Sequence, residues 1–206
     1  MSSSDVSPLA LKIFYGAFAL TQITGFAFMI CLMKWISGWG DILPPSRRVW
    51  HPILASLGLI ILQGESILIF RLLRNVRKSV TKSVHATVHL VAFICVFAAL
   101  VLVFWEKRGF GIPAGIHGRL GLFSATLYLI QYVAAFVTFL APGATNNFRQ
   151  TLLPVHIFGG IFIFLLSCLT VFSKTAEVFP VTSTLLLYAL CLSVSGKRRV
   201  AEYGTY

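Results

Sequence analysis

HPILASLGLIILQGESILIFRLLRNVRKSVTKSVHATVH, residues 51–89, is the stretch that decides the fold. A histidine opens it, a long apolar run follows, then a basic loop, then a second histidine where the next apolar run begins. The run from Trp50 to Phe70, coiled as a helix at about 1.5 Å per residue, crosses the roughly 30 Å hydrocarbon core of a bilayer. That length puts His51 at one membrane face and His85 at the other. The same pattern returns at His117 and His156.

Outward from this stretch the chain keeps the same character. Of its 206 residues 57% are hydrophobic and only 11% charged, and the mean hydropathy is +0.87. A soluble domain carries about 25% charged residues, so this composition predicts an integral membrane protein in one domain over residues 1–206. Six apolar segments emerge, at 11–33, 50–70, 84–105, 116–140, 155–173 and 178–195. The breaks between them are polar or rich in Gly and Pro, and none is long enough for another domain. The start, MSSSDVSPLALK, has no basic stretch before the first apolar run, so the first span is expected to serve as the insertion signal and no cleavable leader is expected. Cys31, Cys95, Cys168 and Cys191 lie within or beside apolar runs without CxxC spacing, and read as small hydrophobes.

The net charge is +11. The basic residues sit in short loops beside apolar spans, where they set topology and meet lipid headgroups, so no nucleic-acid partner is expected. Six spans put both termini on one side. That side carries Lys12, Arg71, Arg74, Arg77, Lys78, Lys82, Arg149, Lys197, Arg198 and Arg199. The other side carries the smaller set Lys34, Arg47, Arg48, Lys107, Arg108, Arg119 and Lys174. The bias places both termini and the 71–83 loop in the cytoplasm.

His51, His85, His117 and His156 each lie within a turn of the start of their own span, on four consecutive spans. Consecutive spans run in opposite directions, so His51 and His117 share the non-cytoplasmic level and His85 and His156 the cytoplasmic one. Imidazole binds Zn, Cu, Ni and haem iron. Zinc wants four ligands, often with Cys or carboxylate among them, and each level here offers two histidines and little else. Two axial imidazoles complete an iron already held by four porphyrin nitrogens. Gly58, Gly121, Gly159 and Gly160, one or two turns past the histidines, would let a flat macrocycle approach the backbone, or would serve as close-packing sites between helices. A single intramembrane histidine is as readily a helix contact; four at matched depth on successive spans are harder to read that way. For His89, one turn past His85, the helix contact is the favoured reading, with a rival ligand as the other. With both axial positions filled, neither iron has a site for oxygen, and the remaining role is electron transfer between the membrane faces.

The chain then resembles the cytochrome b561 family, over about residues 10 to 195. The resemblance rests on HP at 51–52 with LQGES at 62–66, SILIFRLLR at 66–74, KSVHATVH at 82–89, LYLIQY at 127–132, APG at 141–143, FRQTLLPVHIFGG at 148–160, and the spacing of the four histidines. It implies two haem b groups, one held by His51 and His117 and one by His85 and His156. It implies cytoplasmic ascorbate as donor, and monodehydroascorbate or a ferric chelate as acceptor on the other side. Lys78, Lys82 and Arg149 match the family's ascorbate-binding positions, and Phe70, Arg71 and Arg74 lie beside them. Ascorbate is an anion at neutral pH, so the cationic loop suits it; the same charges also serve as the positive-inside signal. The resemblance admits a homodimer.

Two departures stand out. Phe70 occupies a position where the family often has Tyr. Gly115-Ile116-His117-Gly118-Arg119 replaces the family's Ser-Leu-His-Ser-Trp around the third ligand, and the loop before it lacks a histidine found in some members. Arg119, with Lys107 and Arg108, would attract an anionic acceptor or anchor to headgroups or propionates. Gln22, Gln63, Glu65 and Gln131 are the other polar residues inside spans, and Glu65 should be paired or protonated there.

The reading is an all-α membrane protein of six transmembrane helices. Its central four-helix bundle, spans two to five, holds two b-type haems and carries electrons from ascorbate across a plasma membrane or an endomembrane vesicle or lysosome-type organelle. The alternatives are a quinone-linked haem anchor and a haem-free transporter or scaffold.

Overall fold

The computed structural model describes residues 8–38, 47–109, 111, 113 and 115–175. Among these residues all regular structure is helical. Five helices are long and apolar enough to cross a membrane: Pro8–Ser37, Val49–Leu72, Lys78–Glu106, Ile116–Leu140 and Asn146–Lys174. They are called the first to fifth helices below. The expected sixth span, 178–195, and with it Cys191, Lys197, Arg198 and Arg199, lies outside the described residues, as do both chain ends.

Four of the five helices run further than the apolar segments, and the fourth, Ile116–Leu140, coincides with 116–140. Hydropathy marks only the part inside hydrocarbon, whereas a helix continues into the headgroup layer until something stops it. The largest difference is in the fifth helix, which begins at Asn146 although 141–154 reads as a break. Thr145 starts it: the amide of Phe148 donates to the Thr145 hydroxyl at 3.3 Å, supplying one of the orphan donors of a helix start with a partner. Pro154 stays inside the helix, removing one N–H close before His156. Pro52 does the same immediately after His51.

The second helix changes winding midway, with a π-helical segment over Leu57–Leu62 between α-helical Arg47–Ser56 and Gln63–Leu72. Gly58 lies in it at a close approach to the third helix. A Cβ there would stand 2.8 Å from the Ala92 carbonyl oxygen and 2.9 Å from Val96 Cγ2. The fourth helix ends in a second π segment, Phe136–Leu140.

Three buried clusters tie the helices together. Phe28, Leu32 and Ile36 of the first helix meet Val49 and Ile60 of the second and Phe164 and Cys168 of the fifth. Leu59, Val96 and Ala125 join the second, third and fourth helices. Ala92, Tyr128 and Ile163 join the third, fourth and fifth. The second to fifth helices therefore surround one interior, and the first lies against the second and fifth. Large apolar side chains such as Ile23, Phe26, Ile94, Phe97 and Phe158 face outward, as they do on a surface wetted by lipid.

The bundle centre holds a small polar node. Ser124 and Ser167 share a hydrogen bond of 2.8 Å, and the Ser167 hydroxyl lies 3.5 Å from Gln63 Oε1 and 2.8 Å from the Ile163 carbonyl. All three side chains are essentially inaccessible to solvent. In an apolar medium such groups must satisfy one another.

Candidate functional site

The antiparallel run of the helices brings the histidines together in two pairs. His51 of the second helix faces His117 of the fourth, with ring centroids 6.3 Å apart and ring planes at 89°. His85 of the third helix faces His156 of the fifth at 6.2 Å and 78°. All four rings are half-buried.

This spacing has a chemical meaning. An imidazole nitrogen sits about 2 Å from a first-row metal, with the ring centre about 1 Å behind it, so two imidazoles on opposite sides of one metal have centroids about 6 Å apart. Rings in direct contact are closer: His85 and His89 stand 4.6 Å apart.

The second ring nitrogens are committed to the protein. His51 Nδ1 donates to the Ala99 carbonyl at 3.1 Å, His85 Nδ1 to the Ser66 carbonyl at 2.8 Å, and His117 Nδ1 to the Thr170 carbonyl at 2.8 Å. The fourth, His156 Nδ1, lies 2.9 Å from Gln131 Nε2. A carbonyl only accepts, so three rings carry their proton on Nδ1 and keep the Nε2 lone pair for another partner. Metal-binding histidines are held in this way. Two-residue groups of this kind fit a metal that brings its own equatorial ligands. No group of three or more His, Cys, Asp or Glu side chains suited to a bare ion occurs among the described residues.

The fifth histidine, in ring contact with His85, has a different Nδ1 partner. His89 Nδ1 donates to the Tyr128 hydroxyl at 2.8 Å, and that hydroxyl donates to the His89 carbonyl at 3.0 Å. The pair binds the third helix to the fourth. Phe70 packs near edge-on against His85, with centroids 5.1 Å apart.

The glycines lie where neighbouring elements come close. Gly58 admits the third helix, and Gly121 faces Thr170 Cγ2, which a Cβ would approach to 3.3 Å. Gly159 and Gly160 leave room for the Gln131 amide. Each glycine thus borders a neighbouring helix or side chain closely enough to serve as a packing position.

Basic residues gather at both ends of the bundle. At the His85–His156 end, Lys82 lies within electrostatic reach of Lys78 and Arg149. Arg149 is rigidly mounted: Nε donates to the Thr138 carbonyl at 3.1 Å and Nη2 to the Ala141 carbonyl at 3.3 Å. It thereby caps the π-helical end of the fourth helix, a structural duty that sequence reasoning missed. Arg74 lies over the Phe14 and Tyr15 rings, 5.7 and 5.6 Å from their centroids. The start of the first helix therefore belongs to this end. Arg71 follows at the end of the second helix.

At the other end Lys107 is within reach of both His51 and His117, and Lys174 of His117. Arg119 turns back onto its own loop, with Nε donating to the Pro113 carbonyl at 3.2 Å. Gly118 accepts the Pro113 ring where any Cβ would collide with it. The altered residues around His117 thus clasp the preceding loop. Glu65 is paired within the membrane, its Oε1 accepting from Gln22 Nε2 at 2.6 Å.

The family model described as eukaryotic cytochrome b561 matches residues 50–179, more than half of the chain. The transmembrane ascorbate-dependent reductase CYB561 of Mus musculus is 34% identical over 172 residues, 81% of this chain and 68% of that protein. The protein of the same name from Homo sapiens is 35% identical over 80% of this chain and 66% of its own length. The plasma membrane ascorbate-dependent reductase CYBRD1 of Xenopus laevis is 34% identical over 74% of this chain and 57% of its own length. The chain spans about two thirds of the length of the first two relatives.

Proposed function

The chain belongs to the eukaryotic cytochrome b561 family, and on that premise we propose that it is an ascorbate-dependent transmembrane oxidoreductase. It passes single electrons from cytoplasmic ascorbate to an acceptor on the opposite side of the membrane. The observation that carries this reading is the double histidine pairing, at 6.3 and 6.2 Å, one pair toward each end of the bundle. His51 and His117 hold the outer haem b, and His85 and His156 the inner one. Haem supplies a one-electron Fe(III)/Fe(II) couple at each level. The Nδ1 hydrogen bonds fix each ring's orientation, and the apolar surroundings keep water from the pathway.

Lys78, Lys82 and Arg149 bind the ascorbate anion at the inner end, with Arg71 and Arg74 adding to the field and Phe70 lying against His85. At the outer end Lys107, Lys174 and Arg119 favour an anionic acceptor, either monodehydroascorbate or a ferric chelate. Both termini and the 71–83 loop face the cytoplasm, in a plasma membrane or an endomembrane organelle. The sixth span completes one domain over residues 1–206.

The test is transfer across a sealed membrane. Purified protein is reconstituted in liposomes with a ferric chelate trapped inside, and ascorbate is added outside. The expected result is haem reduction followed by ferrous iron within the vesicles. Haem bands that respond to quinol and not to ascorbate would contradict the donor, and colourless protein would contradict the whole reading.

A further inference from the structure

The first helix is fastened to the second toward both of its ends. Toward its C-terminus Phe28, Leu32 and Ile36 pack with Val49 and Ile60. Toward its N-terminus the Arg74 guanidinium lies over the Phe14 and Tyr15 rings. Between these fastenings lies a crevice of about 200 Å³, lined by residues within 21–29 of the first helix and 57–65 of the second. At the rise of a helix it is about 12 Å long. Gln22 and Phe26 on its rim are exposed, so it opens toward lipid.

The antiparallel course of the two helices grades the crevice from polar to apolar. From the His85 end inward, Gln22 and Glu65 come first, then Phe26, Ile60 and Ile61, then Met29 and Leu57. Glu65 lies about 9 Å deeper than Arg71 by helix rise. Its Oε1 accepts from Gln22 Nε2 at 2.6 Å, and no other hydrogen bond reaches either side chain among the described residues. Thr21 commits its hydroxyl to the Ala17 carbonyl at 2.9 Å. A carboxyl oxygen facing hydrocarbon without a partner is costly, and an intramembrane carboxyl group marks a functional site. The apolar wall comes from the π-helical segment Leu57–Leu62, a winding that recurs at functional sites.

We propose that this crevice binds a sterol from the leaflet at the His85 end, with its hydroxyl at Glu65 and Gln22 and one edge of its fused rings along the apolar wall. The grading matches an amphipath standing in that leaflet, polar toward the surface and apolar toward the mid-plane. A hydroxyl both donates and accepts, so it serves the free carboxyl oxygen and the amide together. A phosphate headgroup belongs at the level of Arg71 and Arg74, not deeper beside a carboxyl group. A quinol carries oxygen at both ends of its ring, and the inner one would meet Ile60, Ile61 and Leu57 without a partner. A glyceride's chains lose rotamer freedom on docking, which fused rings do not. The size agrees: a dry cavity of about 150 Å³ holds one benzene ring, so the crevice takes part of a ring system and leaves the rest in hydrocarbon.

The test uses the full-length protein in liposomes with a photoactivatable cholesterol that carries a diazirine on its rings. Illumination and peptide mapping should place the label within 21–29 and 57–65. Excess cholesterol should compete for it; cholesterol 3-methyl ether, which cannot donate, and ubiquinol should compete far less. Glu65→Leu removes the acceptor and should weaken labelling about three- to tenfold. Ile61→Trp fills the crevice and should abolish it. Haem content equal to the parent's shows that each variant is folded. Label placed elsewhere on the bundle, or undiminished labelling in a folded variant, overturns the proposal. Competition by the methyl ether equal to that of cholesterol refutes recognition through the hydroxyl. Stronger competition by ubiquinol than by cholesterol assigns the crevice to a quinol and overturns the sterol reading. If both variants lose haem, the label position and the methyl ether comparison on the parent protein decide.

Discussion

Replacing Arg149 separates its two duties. The guanidinium donates to the Thr138 and Ala141 carbonyls, at 3.1 and 3.3 Å, and adds a positive charge to that of Lys78 and Lys82. A hydrogen bond from a charged donor contributes about 1.5–3 kcal/mol when shielded. Arg149 is half-buried and one bond is long, so the cap as a whole is assigned about 2 kcal/mol. The charge acts on ascorbate separately. Unit charges about 5 Å apart attract by about 3 kcal/mol at an effective dielectric of 20, and by less than 1 kcal/mol in bulk water. A site at the membrane edge lies between, near about 1.4 kcal/mol, which is about tenfold in affinity. Arg149→Leu should therefore raise the apparent KM for ascorbate about tenfold and lower thermal stability. Arg149→Lys restores the charge without the two-carbonyl fork. It should keep KM within about threefold of the parent while losing a similar part of the stability. Stopped-flow haem reduction against ascorbate concentration, with a thermal melt of each variant, gives both readings. Equal KM values for Arg149→Leu and the parent would refute the donor role. Equal KM values for the Lys and Leu variants would refute the electrostatic reasoning.

Other substitutions probe separate parts of the structure. Lys82→Met should raise the ascorbate KM while haem content stays constant, and spectra with kinetics on one preparation check it. Gly58→Leu would drive a side chain into Ala92 and Val96; overpacking of this kind costs about 1–3 kcal/mol. Because the second and third helices each carry one member of a histidine pair, haem loss from both levels is expected together with a lower Tm, and loss confined to one level would contradict the geometry. Ser124→Ala removes the 2.8 Å bond to Ser167, and interhelical hydrogen bonds in membranes average about 0.6 kcal/mol. A small fall in Tm with unchanged haem content is expected, since Ser167 keeps its bond to the Ile163 carbonyl.

Much of this arrangement is legible in the amino-acid sequence. Helix length ties position in the chain to depth in the bilayer. That is why spacing alone sorts His51, His85, His117 and His156 into levels, and why the structure finds them facing one another in those pairs. The grouping of basic residues is legible for the same reason, as Lys78, Lys82 and Arg149 do come together. Helix ends are less so: Asn146–Pro154 is polar enough to read as a break, yet it winds as helix because Thr145 caps it. The two π segments and the tight fit at Gly58 depend on which helix lies opposite, and no periodic pattern records that. The partners of Nδ1 leave no trace in the sequence either. Three of them are main-chain carbonyls, which every residue carries, and Gln131 stands 25 residues from His156 with nothing in its spacing to mark it.

The central claim is that the four histidines hold two haems in the pairs 51 with 117 and 85 with 156. The direct measurement is haem per chain, by extraction and by spectrum, in the parent and in the four single His→Ala variants. The account predicts two haems in the parent and one in each variant. It further predicts the same surviving haem in His51→Ala and His117→Ala, and the other one in His85→Ala and His156→Ala, with ascorbate-driven transfer across the membrane lost in all four. Two haems retained in any of these variants, or survivors that group the histidines differently, would contradict it.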